Sequence, residues 1–107
     1  MEEIVYRYLP EWDVVWSEEL TRAHGHCILL EKVIEFSTWL DSTLYDDNIR
    51  TAYHEVAHGI LWEKCRISDH GSAFIGMYKL LLLENHISLP VNRHNYIHAS
   101  YSLMPEW

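Results

Sequence analysis

The spacing of apolar positions changes character along the chain. Residues 4–9, IVYRYL, and 12–17, WDVVWS, carry β-branched and aromatic side chains suited to pleated, half-buried strands, with Pro10 and Glu11 punctuating between them. They predict two strands joined as a hairpin. Residues 26–37 hold a longer apolar run, and its end, with Val33, Ile34 and Phe36 beside polar Glu35 and Ser37, predicts mostly strand. Further on, the period lengthens. Ile49, Tyr53, Val56 and Ile60 recur at helical spacing as far as about Cys65, and Asp46 or Asp47 offers an N-cap. After the short RISD connection, Phe74, Tyr78 and Leu81 form one stripe with Ile75 and Leu82 beside it, which predicts a second helix from Gly71 onward, capped by Asp69 or Ser72. Pro90 stops that pattern, and the aromatic segment 91–104 is weakly patterned, with room for one more helix.

Strands first and helices afterwards imply an α+β fold, a small antiparallel or mixed sheet followed by two helices. No repeat, low-complexity tract or Gly/Ser linker divides the chain, so residues 1–107 are expected to form one domain. A hydrophobic content of 49%, with five Trp and seven Tyr, supports a packed core without disulfide staples. Cys27 and Cys65 are too few and too far apart for a disulfide scaffold, and both are expected to be ordinary buried thiols. The net charge of -8 repels phosphate backbones, and the eight Lys and Arg form no basic stripe, so direct nucleic-acid binding is disfavoured. The N-terminus lacks the charged and apolar regions of a signal peptide, and the longest aliphatic run, residues 80–83, is far too short to span a membrane. A cytoplasmic location is the expectation. Nothing in the pattern fixes an oligomeric state.

Two histidine signals carry the candidate chemistry. HEVAH occupies residues 54–58, and HGSAF begins at His70. With eight His in the chain, HExxH arises by chance on the order of once in twenty such sequences, so that motif alone decides little. On a helix, however, positions i and i+4 face nearly the same way, so His54 and His58 can address one ion. Glu55 points about 60° to the side of His58, where it can take a proton from a water without being a ligand. The apolar arc of Ile49, Val56 and Ile60 lies opposite, which places the pair at the border of core and cleft, where an ion would be accessible. Two imidazoles hold zinc weakly, and a catalytic site takes three protein ligands and leaves a fourth position open. His70 follows the helix closely enough to return to it, and Phe74 of HGSAF would hold it on a packed base; Glu84 and Asp69 are the rival third ligands. His94 with His98, and His24 with His26, are also spaced to share an ion, but neither pair has a third partner. Tyr53, Trp62 and Tyr78 read as core or cleft wall, although a phenol near a metal could stabilise an oxyanion.

AYHEVAHGILWEKCRISDHGSAFIGMYKLLL, together with the upstream VIEFSTWL, resembles the metal-binding helix, loop and supporting helix of the SprT-like zinc metallopeptidases. It is similar also to small actinobacterial and phage metallohydrolases with HExxH followed by HGxxF. The resemblance covers residues 33–83. It implies a minimal zincin-like fold, a Zn2+ ion held by His54, His58 and His70, and Glu55 as general base. It differs from the family pattern in having Ser72 where Pro is frequent, no recognisable helix before the first strands, and no zinc ribbon or basic extension, which argues against DNA-linked substrates. The expected function is a zinc-dependent hydrolase, a metallopeptidase acting on a protein or peptide substrate. The alternative is a non-catalytic binding or regulatory protein on a zinc-stabilised metallopeptidase scaffold.

Overall fold

The computed structural model describes residues 1–18, 25–38 and 45–90, apart from the side chains of residues 45–47. Three helices and a three-stranded sheet appear in the order α1 (Glu2–Tyr8), β1 (Asp13–Ser17), β2 (Gly25–Ile28), β3 (Val33–Ser37), α2 (Tyr45–Cys65) and α3 (Ser72–Glu84). The fold is α+β with a mixed sheet. β3 lies in the middle, parallel to β1 and antiparallel to β2.

The first prediction fails. IVYRYL is not a strand and makes no hairpin with WDVVWS, because residues 2–8 form α1. Tertiary burial outweighs the β propensity of Ile4, Val5 and Tyr6. Met1, Ile4, Val5, Tyr8, Leu9 and Trp12 all pack on the core, at spacings of three and four that match one helical face. Glu2 and Glu3 in the first turn and Arg7 in the last complement the helix dipole. The helix that seemed missing before the first strands is therefore present. Gly59 brings α1 against α2, since a side chain there would run into Leu9 Cδ1.

Residues 26–37 divide into β2, a turn and β3. Lys32 in the turn adopts φ 56°, and its carbonyl accepts a hydrogen bond from Asp13 N–H at 3.0 Å, which ties the turn to the start of β1. Trp12 Nε1–H donates to Glu63 Oε1 at 2.9 Å, and Lys32 Nζ lies 3.2 Å from the same oxygen, so the far end of α2 is fastened to this corner.

α2 begins at Tyr45, which puts positions 46 and 47 inside its first turn rather than at the cap. α1, β2 and α3 all pack against this helix, and residues 51–59 are buried on every side. The N-terminal border of α3 also differs in detail from expectation. Gly71 is its N-cap with no side-chain cap bond, and Asp69 instead accepts the Gly71 N–H at 2.9 Å, just outside the helix. Cys27 is half-buried and Cys65 is exposed on the last turn of α2, so the expectation of two buried thiols fails for Cys65. The 91–104 segment, His24, His94 and His98 lie outside the described residues. No helix among those described is long and apolar enough to cross a membrane.

Candidate metal centre

HEVAH lies in the middle of α2, and the chain after it turns back sharply. Arg66, at φ 56°, ends the helix in a left-handed conformation, so that Ile67 N–H bonds back to Leu61 O at 3.4 Å. The bond from Gly71 N–H to Asp69 then sets the next turn and leaves His70 over the helix it has just left. The candidate ligand atoms of His54, His58 and His70 all lie within 4.8 Å of one another, and the Nε2 atoms of His58 and His70 are 3.0 Å apart.

Phe74 stands at the centre of this arrangement. Its ring stacks on His58 with centroids 4.3 Å apart and meets His54 and His70 edge-on at 4.8 and 4.9 Å. The sequence pattern assigned Phe74 as a base for His70 alone, yet it packs against all three imidazoles. Tyr78, one turn further along α3, is buried against the His54 ring at 5.4 Å, whereas Tyr53 packs toward Tyr8 of α1. Of the aromatic candidates, Tyr78 therefore borders the cluster.

The expectation of an accessible pair at the edge of the core needs correction. His54, Glu55 and His58 are only 3%, 3% and 8% exposed, and His70 alone is half-buried. The burial comes from β2 and α3 closing over a helix face that the sequence left open. It also sets the charge states. Desolvation lowers the His58 pKa to about 3, with the neighbouring His70 adding to the shift, and desolvation likewise lowers that of His70 against a smaller opposing effect of Asp69. Both rings are therefore neutral near pH 7, the form that ligates metals. Burial raises the Glu55 carboxyl to about 8, so the metal-free chain holds it protonated.

The donor set fits a metal ion on chemical grounds. A four-coordinate ion bound at about 2.0–2.1 Å sets its nitrogen ligands about 3.3 Å apart, and the observed spread from 3.0 up to 4.8 Å brackets that edge. Imidazole donors suit zinc and its first-row neighbours rather than magnesium or calcium. Glu55 Oε2 lies 4.0 Å from His54 Nε2, beside the cluster but outside it. Among the described residues, neither Asp69 nor Glu84 joins the group. Asp69 is engaged with Gly71, and Glu84 is exposed at the far end of α3. His26 is paired instead with Glu35 across the sheet, Nδ1 to Oε1 at 3.7 Å.

Fold and site together define a small α+β protein in which a central helix and the loop after it gather three imidazoles able to hold a metal ion. The SprT-like family model matches residues 2–93, and the chain belongs to that family. The match extends well beyond the motif region and takes in α1 and the whole sheet. No curated protein and no solved structure matches the chain.

Proposed function

We propose that the protein is a zinc-dependent metallopeptidase, with His54, His58 and His70 as zinc ligands and Glu55 as general base. The supporting observation is the convergence of the three imidazoles with a carboxylate 4.0 Å from one of them, in a member of the SprT-like family. His54, His58 and His70 would hold the zinc, which when bound would lower the pKa of a water and polarise a carbonyl. Glu55 accepts the proton of the attacking water and returns it to the leaving nitrogen. That role needs an ionised carboxylate, and a doubly charged ion held by the neighbouring histidines would oppose the desolvation that otherwise keeps Glu55 protonated. Among the described strands β2 pairs on one side only, with β3, and it lies directly beside Glu55. Its other edge suits an extended segment of a protein or peptide substrate.

Glu55→Gln keeps the shape of the side chain and removes the base. The variant is expected to retain about one zinc per chain by elemental analysis and to lose about 10²–10⁴-fold in hydrolysis of an unfolded protein. Parental activity in the variant sinks the mechanism.

The burial of His54, Glu55 and His58 favours a second reading, a non-catalytic binding protein in which zinc clamps α2 to the start of α3. Here a chelator unfolds the protein, and Glu55→Gln leaves partner binding unchanged. Zinc-dependent hydrolysis that vanishes in the variant decides against it.

A further inference from the structure

The inner face of the sheet is built in rows across its three strands. Val14, Ile34 and Cys27 share one row, and Trp16, Phe36 and Gly25 share the next. In the second row the Trp16 and Phe36 rings pack with centroids 5.4 Å apart, but the third place has no side chain. A carbon added at Gly25 would stand 2.9 Å from Glu55 Oε2, 3.0 Å from Glu55 Cγ and 3.0 Å from Thr51 Cγ2. The Glu55 carboxylate thus occupies the space that a side chain in this row would fill. Two residues along the same strand face, the Cys27 thiol lies 3.9 Å from the Glu55 backbone carbonyl, so β2 touches Glu55 at both its main chain and its carboxylate. Gly25 does not adopt a left-handed backbone. The position therefore requires empty space rather than the conformational freedom of glycine.

We propose that Gly25 is a positioning residue, whose missing side chain leaves a notch in the sheet that seats the Glu55 carboxylate and fixes how it faces the three histidines. The proposal rests on Glu55 acting as general base and adds a residue outside both histidine motifs. A glutamate on a helix has three rotatable bonds, and a base must be held close to its working geometry to be effective. Thr51, one helical turn before Glu55, forms the other wall of the notch.

The test uses the zinc-loaded full chain, with denatured casein as substrate and a chromogenic chelator as competitor for zinc. Gly25→Ala is expected to lower kcat about a hundredfold while KM and zinc affinity stay within about threefold, because the added methyl meets Glu55 rather than the imidazoles. Glu55→Asp withdraws the carboxylate from the methyl. It should be costly in the parent and cost little more in the Gly25→Ala background, whereas Thr51→Ser should restore nothing. Parental kcat in Gly25→Ala overturns the proposal, as does a loss of kcat matched by an equal loss of zinc affinity. If the parent cleaves nothing, the same coupling is read in thermal unfolding of the metal-free protein. Gly25→Ala should then lower Tm in the parent and much less in the Glu55→Ala background, where Cγ and the carboxylate are gone. Coupled losses uphold the seat and reject the peptidase reading; additive losses overturn the seat itself.

Discussion

Burial holds the Glu55 carboxyl at about 8 in the metal-free chain, against an ordinary value near 4.5, and this makes folding and metal binding compete for one proton. Below pH 4.5 the group is protonated in both folded and unfolded states. As pH rises from 4.5 to 8 the unfolded chain releases the proton and the folded one keeps it, so stability is lost across that window. At pH 7 the loss is on the order of 3 kcal/mol. His58 acts in the opposite direction. Its value of about 3 lies below the ordinary 6.5, so its contribution is present above 6.5 and is lost as pH falls toward 3. The difference between the parent and Glu55→Gln cancels the histidine. In metal-free protein the variant is expected to match the parent near pH 4 and to melt at increasingly higher temperature than the parent up to pH 8, a trend that calorimetry across the range would measure. A constant difference between the two would refute the assigned protonation state.

At the scale of the element, α3 is the support on which the three-histidine cluster rests. Its first turn carries Phe74 against all three imidazoles, so the ring sets the angles from which His54, His58 and His70 converge. Phe74→Ala opens a cavity in the core and is expected to cost about 3–5 kcal/mol in stability. Phe74→Leu fills most of that volume without the flat stacking surface. It should therefore cost less stability yet still weaken zinc, and titration calorimetry of both variants separates packing from orientation. An unchanged zinc affinity in Phe74→Leu would show that the ring merely fills space. α1 gives a second lesson at this scale. Its residues are strand formers by type, but the spacing of Met1, Ile4, Val5, Tyr8, Leu9 and Trp12 is helical, and spacing prevails because it decides which side chains can reach a common core.

For the whole molecule, the three-histidine cluster brings together two separate parts of the chain. His54 and His58 belong to the central helix, whereas His70 sits in a loop fixed by the left-handed Arg66 and the Asp69 to Gly71 bond. An ion shared among them would tie that loop to the core. Zinc supplied at a hundred times its dissociation constant is expected to stabilise the fold by about 3 kcal/mol, and His70→Ala should abolish that gain while leaving the metal-free protein near its parental stability. Thermal melts with zinc and with chelator would measure both. A zinc effect that survives in the variant would remove His70 from the ligand set.

The strand character of residues 12–17 and of much of 26–37, the helix carrying HEVAH and the return of His70 after it were legible in the sequence, because they depend on local periodicity and on the fixed geometry of i and i+4 positions. α1 was legible only in its spacing, which the β propensity of its residues masked. The depth of the site, the contact of Phe74 with three imidazoles and the place of Gly25 against Glu55 came from tertiary structure alone. Gly25 and Glu55 are thirty positions apart, and no local pattern signals that a missing side chain on one strand makes room for a carboxylate on a helix. Burial sets the charge states of Glu55 and His58 in the same way, through neighbours from β2 and α3 that meet only once the chain has folded.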